Sequence, residues 1–497
     1  MTFAITQSCC NDAHCVSVCP VNCIHPTPDE PDFGRTEMLY IDPRSCIDCG
    51  ACASACPVDA IFPIDKLTAP LAHFAERNRA HYEGRPADPA WAPSRFARSL
   101  PTSFAGLRVA IIGTGPAACY TAQTVLRTTE AHVTMIDRER VAGGLVRYGV
   151  APDHPSTKRV GETFAWLFHH PRLSLRLGTE VGADVTLAEL RRSHHAVIAA
   201  VGAPDDRRLG IPGESLPGSL SAGDFSRWVN GHPDATAPDL AVERAVVVGN
   251  GNVALDVARL LVSDPETLPS ELDPQVRAAL QASRVREVVV LGRRGPEHAA
   301  YTWAELEALR HLPGVGLVVD DTPGVAETIA AAGPAGALHG VEREHIDWDA
   351  APDARRIVLR FGSTPQEILG ATRVVGVRLH GVAGRDLAAG LVVTSIGRVG
   401  RELRGMPFDE DAGRVPRQEG RVIDPETTAP VPGLYVVGWA KRGPTGGIGA
   451  NRFDAEETVD ALLDDALAGV LEAPTSAPSR RRGMMAGWAA ATKTTTA

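Results

Sequence analysis

Hydrophobic residues in this chain come in short, unbroken runs separated by glycine, proline and polar stretches. In "LRVAIIGTGPAACYTAQTVL" the run at 109–112 predicts a buried strand that turns through Gly113, Gly115 and Pro116 into a helix. "AHVTMID" predicts a second strand ending at Asp137. The succession returns in "RAVVVGNGNVALDVARLL", with a strand at 245–248, a turn at Gly249 and Gly251, and a helix entered past Ala254. Its second strand is "REVVVLGRR", residues 286–294. Later, "GLVVTSIGR" (390–398) predicts a strand and a turn. "VPGLYVVGWAKRGPTGGIGANRFDAEETVDALLDDAL" then predicts a strand, a turn at Gly446, Gly447 and Gly449, and a helix. Between 63 and 104 the pattern breaks: Pro63, Pro70, Pro86, Pro89, Pro93 and Pro101 stand among polar residues, with one short helix near "LAHFAERNRAHY". That stretch reads as a linker, and the composition of 468–497 predicts a disordered tail.

The two strand–glycine–helix units carry chemistry. Gly113 makes a tight turn, Gly115 lets the backbone approach a pyrophosphate at the helix N-terminus, and Ala118 is the small third position. Asp137, about twenty residues on, suits a ribose hydroxyl. In the second unit the strand ends in Arg293 and Arg294, which suit a 2′-phosphate and leave no acid for the ribose of NAD. The first site therefore reads as a dinucleotide site, FAD in the two-domain architecture below, and the second as NADP, with solvent-facing arginines as the bland alternative at the second. Two such folds on one chain, followed by a return to the first, predict a two-domain flavoprotein architecture.

The N-terminus adds a different chemistry. "CIDCGACASACP" places Cys46, Cys49, Cys52 and Cys56 in the iron–sulfur spacing C-x2-C-x2-C-x3-C-P. "CCNDAHCVSVCP" matches it position for position, with Cys9, Cys15 and Cys19 in register and Asp12 opposite Cys49. The first sixty or so residues thus read as a duplication around two clusters, in which the fourth cysteine of each run serves the other cluster. Cys19, Cys46, Cys49 and Cys52 would hold a 4Fe–4S cluster. Cys9, Cys15 and Cys56 would hold a 3Fe–4S cluster, or a 4Fe–4S cluster whose fourth iron Asp12 ligates more weakly than a thiolate would. Cys10 and Cys23 fall at non-ligand positions, opposite Ile47 and Ala60. A disulfide framework is disfavoured because nine of the ten cysteines lie before residue 57, and a zinc ribbon does not use this spacing.

Composition narrows the picture. At 497 residues the chain has room for about three domains. No apolar run suits a membrane span and "MTFAITQS" is not a secretory leader, so the expected compartment is the cytoplasm. A net charge of −10 gives no nucleic-acid footprint. Residues 1–62 hold eight acids against Arg35 and Arg44, as in an electron carrier that docks on a basic surface, or simply a solvated acidic face.

Over 106–465 the chain resembles the adrenodoxin-reductase-type ferredoxin–NADP reductases. The matching stretches are "GTGPAACYTAQ", "GGLVRYGVAPDHPSTKRV", "AVGAPDDRRLGIPGE", "VVGNGNVALDVARLL", "GRRGPEHAAYTWAEL" and "VVGWAKRGPTGGIGAN". Residues 1–62 resemble the seven-iron, Asp-containing bacterial ferredoxins, and the combination resembles actinobacterial reductases with a fused ferredoxin. The resemblance implies FAD contacts at Ala117, Asp137, Leu145, Val181, Trp439, Gly446, Gly447 and Ile448. It implies NADP contacts at Arg207, Asn250, Gly251, Asn252, Val253, Arg293, Arg294, Glu305 and Gly446. His154, in "APDH", is a candidate for tuning proton and hydride traffic near the flavin, with a core-satisfied histidine as the alternative. Three features depart from the family: Asp137 where many relatives have Glu, Ala308 in place of a second acid, and "NRFDAEET" in place of a lysine-bearing start to the last helix.

The expected class is α/β: two Rossmann-like dinucleotide-binding domains (FAD and NADP) preceded by a small α+β two-cluster ferredoxin domain. Expected boundaries are 1–62 ferredoxin, 63–104 linker, 105–203 FAD domain, 204–389 NADP domain, 390–467 FAD domain continued and 468–497 tail. The expected activity is ferredoxin–NADP+ reductase, moving electrons between NADPH and iron–sulfur clusters through FAD and serving an external one-electron acceptor such as a ferredoxin or cytochrome P450. The alternative is an electron-input subunit resembling the small subunit of glutamate synthase. A flavin disulfide reductase needs a cysteine pair in the body, which holds only Cys119.

Overall fold

A computed structural model of the chain describes residues 2–85, 100–330, 334–381 and 384–476. The described residues group into two compact units: one of those within 2–150, 154–205 and 399–476, residues 86–99 aside, the other of those within 151–153 and 206–398, residues 331–333 and 382–383 aside.

The first unit begins with the iron–sulfur region. Strand Phe3–Ile5 pairs antiparallel with Ile61–Pro63, and Ile24–His25 with Tyr40–Ile41. Two five-residue helices, His14–Val18 and Ala51–Ala55, follow the two ligand loops. The region does not end at residue 62. Helix His73–His81 lies inside the stretch expected to be linker and packs on it through Asn78. The Asn78 side-chain oxygen accepts from the N–H groups of Ile5 (3.1 Å) and Ile41 (2.9 Å), and its amide donates to the carbonyl of Ile5 at 2.8 Å. Tyr82 donates to the Tyr40 carbonyl at 2.7 Å. The iron–sulfur region therefore runs to Tyr82. Residues 86–99 of the expected linker lie outside the described residues.

The flavin part is a seven-stranded sheet in the order 417–418, 421–423, 430–436, 196–199, 108–112, 132–136, 173–176. Its five strands from Pro430–Val436 to Leu173–Arg176 run parallel, and helix Pro116–Thr128 packs against the last helix, Ala450–Leu467. One buried cluster joins Ile5, Ile24, Ile41 and Val58 of the iron–sulfur region to Val109, Ile111, Ala118, Val125 and Leu462 of the flavin part. The iron–sulfur region thus shares a core with the body instead of hanging from a tether. After the last helix, Thr475 and Ser476 donate their N–H groups to the Arg192 carbonyl, and the expected tail beyond 476 lies outside the described residues.

The second unit holds a parallel seven-stranded sheet in the order 219–221, 391–394, 244–248, 287–291, 356–360, 316–320, 342–344. Strand Leu391–Thr394 corrects the expected boundary at 389/390. It pairs with Arg244–Val248 (Val246 opposite Val392) and belongs to this unit, which runs to Arg398. Residues 151–153 join the unit through Asp153, whose carboxylate takes both Nε and Nη2 of buried Arg259, at 2.6 and 3.0 Å.

Candidate redox site

The ligand loops repeat each other torsion by torsion. Asn11 (φ 56°) matches Asp48 (φ 61°), and Asn22 (φ 47°) matches Asp59 (φ 48°). Ala13 (φ 53°) matches Gly50 (φ 72°), both left-handed at the head of their helices. Cys19 and Cys56 leave those helices at φ −74°, with ψ 115° and 117°. The Cys23 N–H reaches the Cys19 sulfur at 3.4 Å, as the Ala60 N–H reaches that of Cys56 at 3.3 Å. Asp12 therefore stands at the backbone position of Cys49.

The chemistry of the donors fits iron–sulfur clusters. Cys19, Cys23, Cys46, Cys49 and Cys52 line one cavity together with Phe3, Val21, Ile47 and Gly50. The Cys23 thiol lies 3.4 Å from the Cys19 sulfur, and hydrogen bonding from it lowers both Cys19 and Cys46 to about 6, toward the thiolate a metal needs. In the other half, burial pushes Cys9 up to about 12, with Cys56 and Asp12 adding to the rise. Burial likewise raises Cys15 and Cys56, both of which feel the Asp12 charge. Buried Cys15 and half-buried Cys9 and Cys56 thus lie beside a carboxylate 4% exposed whose charge adds to the rise in all three thiols, and a cationic iron core is what would support the thiolate forms. His14 Nδ1 contacts Asp12 Oδ2.

The first nucleotide turn is built for close approach. A Cβ on Gly113 would lie 2.5 Å from the Ala200 carbonyl, and one on Gly144 would lie 2.8 Å from Gly115 Cα. Helix Pro116–Thr128 has a glycine N-cap without a side-chain acceptor, which leaves its first N–H groups for a phosphate. By contrast, the helices that start after Thr186, Ser221, Asp273 and Thr302 are capped by those side chains. Asp137 accepts from Thr114 Oγ1 at 2.5 Å and from the Glu139 N–H at 2.9 Å, and burial raises its pKa. Ala117 sits against Gly438, where a Cβ would come within 2.6 Å of its own. The Trp439 indole donates to the carbonyls of Thr445 (3.1 Å) and Gly446 (3.2 Å), holding the glycine turn. Leu145 lies in helix Gly144–Tyr148, Val181 is buried with Ile112 and Ile136, and Ile448 packs on the large core of this unit. Gly447 has open space where a side chain would stand. His154 is half-buried at the head of helix Pro155–Arg159.

The second turn repeats the device in its own unit. A Cβ on Gly249 would lie 2.1 Å from the Ser395 carbonyl, and Gly251 caps helix Asn252–Val262 without a side-chain acceptor. The Asn252 side chain accepts from the Thr302 N–H at 2.7 Å, which ties the turn to the helix carrying Glu305. Asn250 lies against Gly292, just before Arg293 and Arg294. Both arginines are exposed, and neither guanidinium has a partner among the described residues. Val253 is 47% exposed at the helix head. Arg207 is exposed, its Nε donating to the Arg398 carbonyl at 3.2 Å. Glu305 lies 3.5 Å from buried Arg259, whose charge Asp256, Asp153 and Glu305 sustain against burial.

Sequence reasoning missed Thr114, Gly144, Gly438 and Asn78. Thr114 lies inside the quoted glycine motif and was open to notice. Gly144 and Gly438 also lie in quoted stretches, but the contacts that require them, with Gly115 and Ala117, are long-range, as are the Asn78 hydrogen bonds to Ile5 and Ile41.

Fold and site together define a pyridine-nucleotide-dependent flavoprotein oxidoreductase with an iron–sulfur unit. A family model described as pyridine nucleotide-disulphide oxidoreductase matches residues 107–291, and one described as 4Fe-4S binding domain matches 39–62. A probable ferredoxin/ferredoxin–NADP reductase of Mycobacterium tuberculosis is 47% identical, covering 96% of this chain and 86% of its own. Human mitochondrial NADPH:adrenodoxin oxidoreductase is 39% identical over 77% of this chain and 84% of its own. Among solved structures, Mycobacterium tuberculosis FprA in complex with NADPH matches with a TM-score of 0.65 and 39% identity, over 74% of this chain and 87% of that one. The chain belongs to the ferredoxin–NADP reductase family, among the members that carry a fused ferredoxin-like region. It is an FAD-dependent oxidoreductase of NADP(H) with a 4Fe–4S-binding domain, and among the described residues no helix is long and apolar enough to cross a membrane.

Proposed function

We propose that this chain moves electrons between NADPH and two iron–sulfur clusters of its own, and through them to an external one-electron protein such as a ferredoxin or a cytochrome P450, in the cytoplasm. FAD, when bound, supplies the conversion between the two-electron hydride of NADPH and one-electron iron chemistry. The protein's part is positioning. Gly113, Gly115, Ala117 and the head of their helix hold the FAD pyrophosphate. Asp137, oriented by Thr114, takes the ribose, and the Gly446–Gly447–Ile448 turn, braced by Trp439, lies along the flavin. Leu145 and Val181 supply apolar walls, and His154 is the candidate for proton handling. Asn250, Gly251, Asn252 and Val253 hold the NADP pyrophosphate, Arg293 and Arg294 its 2′-phosphate, and Arg207 and Glu305 complete the site. Cys19, Cys46, Cys49 and Cys52 hold a 4Fe–4S cluster. Cys9, Cys15 and Cys56 hold a 3Fe–4S cluster that Asp12 can extend to a fourth, labile iron.

The observation that carries this reading is the contrast between the two strand ends: a half-buried acid after the first, and after the second two guanidiniums that have no partner among the described residues. Neutralising Arg293 and Arg294 together removes two charge-assisted contacts worth roughly 1.5–3 kcal/mol each, so kcat/KM for NADPH falls by about two to four orders of magnitude. Efficiency with NADH stays within about threefold on the same reasoning. Equal losses with both coenzymes would refute the assignment.

A further inference from the structure

We infer that the Asp12 half of the iron–sulfur unit is the half docked on the reductase, held by a clamp at the start of the last helix, and that the Cys49 half is the one left open to an external carrier. The inference rests on the ligand reading above for what the two halves hold, but the clamp itself is a matter of protein contacts.

The Gly449 N–H donates to the Cys10 carbonyl at 3.0 Å. Two residues later in the ligand loop, the Asp12 carbonyl accepts from Arg452 Nη1 at 3.1 Å. Phe453 meets Phe33 edge to face, with ring centroids 5.0 Å apart. The fit at Gly449 is close. A Cβ there would stand 2.2 Å from the Cys10 oxygen, 2.3 Å from the Asp12 nitrogen and 2.4 Å from the Asn11 carbonyl carbon, all of them backbone. Its φ of −65° is open to any residue, so glycine is required here for the approach of the ligand loop and not for the turn. Gly449 directly follows the Gly446–Gly447–Ile448 turn proposed to line the flavin. One stretch of backbone thus touches the Cys10–Asp12 segment and, one residue earlier, reaches the flavin turn. The departure "NRFDAEET" from the lysine-bearing start of related helices now has a physical reading. Arg452 bonds a backbone carbonyl while lying 5.6 Å from the Phe453 ring centroid, and Phe453 supplies the apolar contact.

Among the described residues the other half has no such cover. Ile47 is 58% exposed, and Asp48 and Cys49 are exposed with it, whereas Asp12, in the position equivalent to Cys49, is 4% exposed. The Arg159–Asp59 pair at 2.7 Å is a further link to the body, but both side chains are about half exposed and it contributes little. Gly449, Arg452 and Phe453 are positioning residues: they set which half faces the reductase.

The test is hydrogen–deuterium exchange on the holoprotein, with EPR on the same samples. Arg452→Ala and Gly449→Ala should speed exchange of amides in 9–15 by about tenfold and leave those in 46–52 unchanged. The EPR signal of the Asp12 half should change in shape while that of the four-cysteine half does not, and Arg452→Lys should restore part of the protection. If Gly449→Ala loses flavin, Arg452→Ala carries the test alone. Unchanged exchange at 9–15 in a variant with full flavin and iron content would overturn the clamp, as would an equal rise at 46–52. A protected 9–15 segment in a protein whose Asp12 half binds no iron would refute the ligand reading while leaving the docking intact.

Discussion

From Asn11 to Cys23 the backbone passes through the torsions it repeats from Asp48 to Ala60, yet the two segments sit in different surroundings. One is closed over by the last helix and carries a buried carboxylate, Asp12, where the other has Cys49. The other is complete in cysteine, receives an extra thiol from Cys23, and opens to solvent at Ile47 and Cys49. The difference teaches that a duplicated backbone does not imply duplicated roles. The torsions specify where a ligand can stand, and the residue placed there, with what packs outside it, decides how firmly iron is held and which side is reachable.

The largest expected effect removes what the halves have in common. Asn78 bonds the strands that lead into both ligand loops, so Asn78→Leu strands three backbone groups at about 1–3 kcal/mol each and costs at least about 3 kcal/mol. Iron should be lost from both halves together while flavin is kept, as read by iron and FAD quantitation. Loss from one half alone would show that the halves fold independently.

An exchange of the distinguishing ligand comes next. Asp12→Cys should raise the iron content to about eight per chain, two four-iron clusters, and abolish the three-iron EPR signal. Cys49→Asp should do the reverse, leaving about six. If Asp12→Cys alters neither count nor spectrum, Asp12 does not face the cluster and the matched register has no chemical meaning.

The smallest effect compares the two helix heads. Gly50 and Ala13 hold the same left-handed conformation, so Gly50→Ala should cost about 1–2 kcal/mol, the strain that the Asp12 half already bears at Ala13. Ala13→Gly relieves that strain but gives up a buried methyl worth about 0.8 kcal/mol, and should change stability by less than about 1 kcal/mol. The urea midpoint for iron release measures both. Equal losses at the two positions would mean the heads are not equivalent.

Much of this was legible in the sequence because it is local. Cysteine spacing, the offset that places Asp12 on Cys49, and each strand–glycine–helix succession are set within some thirty residues. What was not legible is long-range. Helix His73–His81 docks through only two buried side chains, Phe74 and Asn78, and not through an apolar stripe, so its pattern reads as linker. Strand Leu391–Thr394 has the pattern of any buried strand, and nothing local says which sheet it completes. Gly449 read as part of a flavin turn, and its tight contact with Cys10 joins residues at opposite ends of the chain. The proposal for Arg293 and Arg294, by contrast, rests on a local signal, because nucleotide discrimination needs particular side chains just past a strand end.

The most direct test of the account is an anaerobic NADPH titration of the intact protein followed by EPR. Addition of about two equivalents of NADPH, whose four electrons match two for the flavin and one for each cluster, should bleach the flavin absorbance and abolish the oxidised three-iron signal of the Asp12 half with no added ferredoxin. Bleaching of the flavin with that signal left at full intensity would contradict the claim that the reductase delivers electrons to its own iron–sulfur unit.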